Sequence, residues 1–124
     1  MLGSKRLIAF IPTVKPAEAK AFYQDVLGLR FIREDQVAVV FDANGTMLRI
    51  TIVPEFTPYP FTVAGWSVLN IEEIVTALAE KGIAFERYSF MEQDSLGIWT
   101  SSAGTKVAWF KDPDGNLLSV SQHM

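Results

Sequence analysis

The sequence predicts an α+β fold: one domain over residues 1–124, built from two tandem copies of a strand, a helix and a run of strands. Three observations predict it. The stretch VAVVFDANGTMLRIT (Val37 to Thr51) matches VAWFKDPDGNLLSVS (Val107 to Ser121) at an offset of 70, with identities at Val37/Val107, Ala38/Ala108, Asp42/Asp112, Gly45/Gly115 and Leu48/Leu118. Upstream, VLGLRFIR (Val26 to Arg33) matches EKGIAFER (Glu80 to Arg87) at an offset of 54, pairing Gly28 with Gly82, Phe31 with Phe85 and Arg33 with Arg87. Each half also holds one helical apolar stripe between β-rich segments. Module one is expected at 5–53, a linker at 54–60 and module two at 61–122.

Leu7 to Thr13 is an apolar strand, followed by Pro16, which the first turn of a helix tolerates because its missing amide hydrogen has no partner there anyway. The first helix runs to about Leu27, burying Ala19, Phe22 with Tyr23, and Val26, and Gly28 ends it in the left-handed region. The second helix begins at the capping pair Asn70 and Glu73, buries Ile71, Ile74, Val75, Leu78 and Ala79, and stops at Gly82. Asp42-Ala43-Asn44-Gly45 and Asp112-Pro113-Asp114-Gly115 are hairpin turns, and the acidic ligands at alternate positions that a calcium loop needs are missing. Pro54 to Pro60 has three prolines in seven residues and should be extended. Met91 to Gly104 is a long irregular excursion, read as a functional lid.

Composition narrows the function. With 49% apolar and 20% charged residues, a packed core is expected, and disorder, collagen and coiled coil are excluded. The net charge of −3 and the scattered basic residues argue against nucleic acid as a partner. No apolar run approaches the roughly 18 residues of a membrane span, so no membrane partner and a cytoplasmic location are expected. The sequence has no cysteine and a single histidine, His123. Thiolate chemistry is thereby removed, and a triad of Ser101 or Ser102 with His123 is improbable. No glycine-rich phosphate loop is present, because the glycines fall at helix stops and hairpins.

Strand alternation puts Met47, Arg49, Thr51 and Val53 on one face, and Leu48, Ile50 and Ile52 on the other. Likewise Leu117, Ser119 and Ser121 oppose Leu118 and Val120. The apolar faces should pack on the helices, leaving the mixed faces for function. There Arg49 and Ser119 occupy equivalent positions, and Trp66, Tyr88, Trp99 and Trp109 can wall a pocket for a flat ligand, or belong to core or dimer interface.

The strand, AKAFYQDVLGLRF (Ala19 to Phe31), a glycine-turned hairpin, a second module and KDPDGNLLSV (Lys111 to Val120) together resemble the glyoxalase, bleomycin-resistance and dioxygenase superfamily, also called vicinal oxygen chelate. The resemblance implies two tandem βαβββ modules whose curved mixed sheets surround a cavity, usually in a homodimer. Its catalytic members hold a divalent metal with His or Glu from the first and last strands of each module. Counted from the motifs, those positions fall near Ile8 and Val63 and at Arg49 and Ser119, none suited to a cation. No metal and no cofactor are therefore expected.

The preferred function is a metal-independent small-molecule binder, resembling the drug-sequestering branch, with aromatic walls and Arg49 fixing an anionic or carbonyl group. The alternative is a lyase, isomerase or dioxygenase-like enzyme using the carboxylates Glu92 and Asp94 in place of metal, with Arg49 stabilising an enolate-like charge. A third reading is a module that binds a protein partner or its own copy.

Overall fold

The structure, a computed structural model, describes residues 1–123. It divides into two compact units, the first ending at Thr57 and the second beginning at Pro58. Both are four-stranded mixed sheets with one helical segment, and the chain is α+β, two tandem βαβββ modules.

In module one, β1 (Ile8–Thr13) leads to α1 (Pro16–Ala21), then β2 (Arg30–Glu34), β3 (Ala38–Ala43) and β4 (Thr46–Ile52) follow in the sheet order β1-β4-β3-β2. The β1–β4 pair is parallel because the helix crosses between the first strand and the rest, while β2, β3 and β4 form an antiparallel meander. Pro16 occupies the first helical turn. The helix does not stay α to its end: Phe22–Val26 is a π-helical turn, closed by Leu27 N–H donating to the Phe22 carbonyl at 3.0 Å. The wider turn accompanies burial of two adjacent aromatics, Phe22 and Tyr23, whose rings meet edge-on with centroids 5.2 Å apart. Tyr23 packs on Phe41 of β3, and Ile11, Val39 and Ile50 complete a sealed core. Asn44 (φ 52) and Gly45 (φ 96) are the two loop residues of the β3–β4 hairpin, both in the left-handed region that this tight turn requires.

In module two, β5 (Thr62–Ser67), α2 (Ile71–Glu80), β6 (Trp99–Thr100), β7 (Lys106–Lys111) and β8 (Leu117–Gln122) repeat the pattern in the order β5-β8-β7-β6, with β5 parallel to β8. The Asn70 side chain accepts from Glu73 N–H at 3.2 Å, as the capping pair predicts. A second free amide at this helix start, Ile71 N–H, donates to the side chain of Gln122 on β8 at 2.9 Å, so sheet and helix cap are tied together. Ile71, Val75 and Leu78 turn inward onto the sheet, whose covered face carries Ala108, Phe110, Leu118 and Val120, all buried.

The repeat is imperfect at one place. The strand β2 has no regular counterpart at residues 84–88, although Phe31 matches Phe85 in sequence. That segment runs beside β7 on one hydrogen bond, from Glu86 N–H to the Trp109 carbonyl at 2.8 Å, and the edge position of the sheet goes to the two-residue β6.

Candidate functional site

Register decides which side chains share a face. Across β7 and β8, Trp109 stands opposite Ser119, and across β8 and β5, Ser119 stands opposite Gly65. Trp99 on β6 stands opposite Val107, two residues from Trp109, and so joins the same face. This is the face of module two that α2 does not cover. Trp66 pairs with Val120 and therefore lies on the other, helix-side face. The structure thus brings Trp99, Trp109 and Ser119 together and leaves Trp66 apart from them.

Tyr88 joins this group from the segment beside β7. The ring centroids of Trp99 and Trp109 are 6.1 Å apart, those of Trp109 and Tyr88 5.7 Å, and those of Tyr88 and Phe90 5.4 Å. Four aromatic rings therefore form one unbroken row. Beside it lies a concavity of about 230 Å³ lined by Tyr59, Glu86, Tyr88, Lys111 and Leu117 among others, in which Lys111 and Glu86 form an ion pair at 3.5 Å. Burial, and secondarily the charge of Glu86, push the Tyr88 phenol above its usual range, so it is a neutral donor at physiological pH. The phenol hydroxyl and the indole N–H groups of Trp99 and Trp109 make no hydrogen bond with any described residue.

Gln93 holds the row in place. Its carbonyl oxygen accepts from Tyr88 N–H at 2.8 Å, and its amide donates to the carbonyls of Glu86 and Gly97, both at 2.9 Å. Arg87 adds two bonds to the carbonyls of Asp94 and Ser95 at 2.7 and 2.8 Å. A loop glutamine carries no periodicity or motif, so sequence reasoning had no signal for Gln93; Glu86 and Tyr59 lie in irregular segments without one either, while Lys111 stood in the KDPDGN motif and was read only as part of that motif. The segment expected to be a lid is pinned from within.

The carboxylate candidates serve differently. One oxygen of Asp94 accepts from the N–H groups of Leu96 and Ile98, each at 2.9 Å, which makes it a loop staple. Glu92 is exposed and pairs with no described residue. Asp112 is 6% exposed and accepts from Asp114 N–H, Asn116 N–H and the Asn116 side chain, all at 2.9 Å, so its oxygens shape the hairpin. Asp112→Ala is expected to cost about 1–3 kcal/mol in urea unfolding, by stripping a buried carboxylate from three donors, while added calcium leaves the wild-type melting temperature unchanged. His123 shares its 2.9 Å hydrogen bond with Ser121, and the Ser101 hydroxyl accepts from Thr105 N–H.

In module one, Arg49 lies on the sheet face opposite the buried Leu48 and Ile50, between Phe10 of β1 and Val40 of β3. It makes no ion pair or hydrogen bond with any described residue. Its charge is nevertheless felt by Asp35, which is held below the usual carboxylate range first by the amides of Val37 and Ala38 and more weakly by Arg49 and Arg33. A depression of about 380 Å³ on this module is walled by Ile8, Ile32, Val40 and Met47, with Arg6 and Arg30 among its lining. Arg30 there is paired with Asp42 at 3.7 Å.

A sequence profile of the Glyoxalase/Bleomycin resistance protein/Dioxygenase superfamily matches residues 7–120 of the chain. The chain belongs to this superfamily. Among curated proteins, none matches the sequence. Solved members of similar fold include a superfamily protein from Sphaerobacter thermophilus, 20% identical with a TM-score of 0.77, covering 99% of this chain and 100% of that one. Lactoylglutathione lyase from Agrobacterium tumefaciens is 18% identical with a TM-score of 0.74, covering 96% of this chain and 93% of its own. TnmS3, an antibiotic binding protein from Streptomyces sp. CB03234, is 20% identical with a TM-score of 0.74, covering 100% and 99%.

Against the metal site that the glyoxalase superfamily implies, the strand register gives a direct test. The β1 residue opposite Arg49 is Phe10, and the β5 residue opposite Ser119 is Gly65. The counted first-strand positions Ile8 and Val63 lie two residues earlier on the same strands, Val63 at a bulge between Thr62 and Ala64, and neither carries a metal-binding group. A phenyl ring beside a guanidinium, and a hydrogen atom beside a hydroxyl, supply neither carboxylate nor imidazole. These residues do not fit a divalent cation, and among the described residues no three His, Asp or Glu side chains converge elsewhere.

Proposed function

We propose that this superfamily member is a metal-independent small-molecule binding protein whose module-two face takes a planar aromatic ligand. The observation that carries the reading is the row Trp99, Trp109, Tyr88, Phe90, with every neighbouring pair of centroids within 6.1 Å. Trp99 and Trp109 are tilted by 40°, Tyr88 and Phe90 by 34°, and Tyr88 meets Trp109 edge-on at 79°, so the row offers aromatic walls set at angles, at little conformational cost because each ring has few rotatable bonds and the backbone that carries Tyr88 is pinned by Gln93. The adjoining concavity of about 230 Å³ is smaller than a typical ligand pocket, so one end of the ligand sits in the hollow and the rest against an aromatic wall. The antibiotic-binding protein TnmS3, of similar fold, supports the class of function.

Arg49, a cation with no partner among the described residues, is the proposed anchor for an anionic or carbonyl group at a separate place on module one. The same reading takes the protein to be a cytoplasmic homodimer. A thermal-shift screen of planar aromatic acids, followed by calorimetric titration in the presence of chelator, tests the proposal. Binding along the aromatic row should persist in chelator, and only hits that bind on module one should weaken in Arg49→Ala, by about tenfold, the loss of one charge-assisted hydrogen bond. Unchanged affinity in Arg49→Ala for every hit would remove Arg49 as a binding group and leave the module-two row untouched.

A further inference from the structure

We infer that Gly65 and Ser119 form a single-oxygen notch beside the aromatic row, which selects planar aromatic compounds bearing a ring carbonyl. The inference rests on the binding function proposed above and names the ligand chemistry of that face.

Ser119 is 9% exposed, yet its hydroxyl has no hydrogen-bond partner among the described residues. It is not sealed either, since no buried side-chain oxygen or nitrogen lacks a partner. A polar group in this state keeps a narrow opening and an unused donor, which a ligand acceptor can take without displacing an existing bond. Gly65 explains where the hydroxyl sits. Six other glycines adopt positive φ, but Gly65 does not, so its missing side chain serves space and not backbone conformation. A Cβ at residue 65 would stand 2.5 Å from the Ser119 hydroxyl oxygen and 3.3 Å from its carbonyl oxygen. The hydroxyl therefore leans over the bare Cα of Gly65, in the room that glycine leaves.

The neighbours fix the polarity of the ligand. Trp109 stands across β7 from Ser119, and the unpartnered polar groups of Trp99 and Trp109 are indole N–H groups, which only donate. With the neutral Tyr88 hydroxyl, the face presents donors to a flat molecule and matches one whose edge carries an acceptor.

The test uses two probes that differ by one oxygen, 9-fluorenone-2-carboxylate and fluorene-2-carboxylate, titrated by calorimetry into the wild type, Ser119→Ala, Gly65→Ala and the double variant. Wild type should bind the ketone about fivefold or more tightly than the hydrocarbon, the worth of one net hydrogen bond. Ser119→Ala should erase that preference while leaving fluorene-2-carboxylate within twofold. Gly65→Ala should melt below wild type, and adding Ser119→Ala should restore part of the loss, because a Cβ at 65 would meet the Ser119 Cβ at an ordinary 3.8 Å. Equal binding of the two probes by wild type, or equal weakening of both in Ser119→Ala, overturns the notch while the aromatic site stands. Failure of both probes, and of every planar aromatic in the screen, to bind wild type overturns the site itself; the stability rescue then still reads the Gly65 and Ser119 packing independently.

Discussion

Trp109→Ala is expected to weaken binding of planar aromatic ligands by about thirtyfold, the loss of roughly 2 kcal/mol that a central tryptophan contributes at a binding surface. Trp109 is an interior ring of the row, with Trp99 tilted against it on one side at 6.1 Å and Tyr88 edge-on at 5.7 Å on the other, so its removal separates Trp99 from Tyr88 and Phe90. It is only half-buried, and the fold should survive its removal. Trp66→Ala is the matched control: on the helix-side face beside Val120, it should change affinity less than threefold. Calorimetric titration of both variants checks the contrast. Equal losses would mean that the two faces of the sheet are not functionally distinct.

Phe110→Ala is expected to destabilise the protein by about 3–5 kcal/mol, with a melting temperature lower by on the order of 10–20 °C. Phe110 is 1% exposed and meets Phe85 edge-on with centroids 5.7 Å apart, on the sheet face that carries Leu118 and Val120. Truncation leaves a cavity between strand and helix that rigid neighbours cannot fill. Urea unfolding measures it; a loss below about 1 kcal/mol would place the core of module two elsewhere.

Local chemistry was legible in the sequence. Asn70, Gly82, Asn44 and Gly45 each act through a cap or turn whose geometry depends on adjacent residues only, and the structure has each in that role. The two faces of β4 were legible because alternation is a property of the strand itself: Leu48 and Ile50 are buried, while Met47, Arg49 and Thr51 are half-exposed. Features that depend on register were not. The bulge at Val63 decides which β5 residue meets Ser119 and which face Trp66 takes, and nothing in the letters around Val63 marks it. The π turn at Phe22–Val26 follows from burying two neighbouring rings at once, a demand of the sheet and not of helix propensity. The repeat pairs Phe31 of β2 with Phe85, but no strand forms at residues 84–88, where the Gln93 side chain takes hydrogen bonds at Glu86 and Tyr88 that a neighbouring strand would otherwise supply. The aromatic residues themselves could be read from composition; their assembly into a row could not.

The most direct measurement follows the three indole N–H resonances by NMR, assigned by single Trp→Phe variants, during titration of chelator-treated protein with 9-fluorenone-2-carboxylate. The Trp99 and Trp109 signals should shift together and saturably while Trp66 stays put. Movement of Trp66 with Trp99 and Trp109 unchanged, or shifts that arise only after a divalent metal is added, would contradict metal-independent binding at the row.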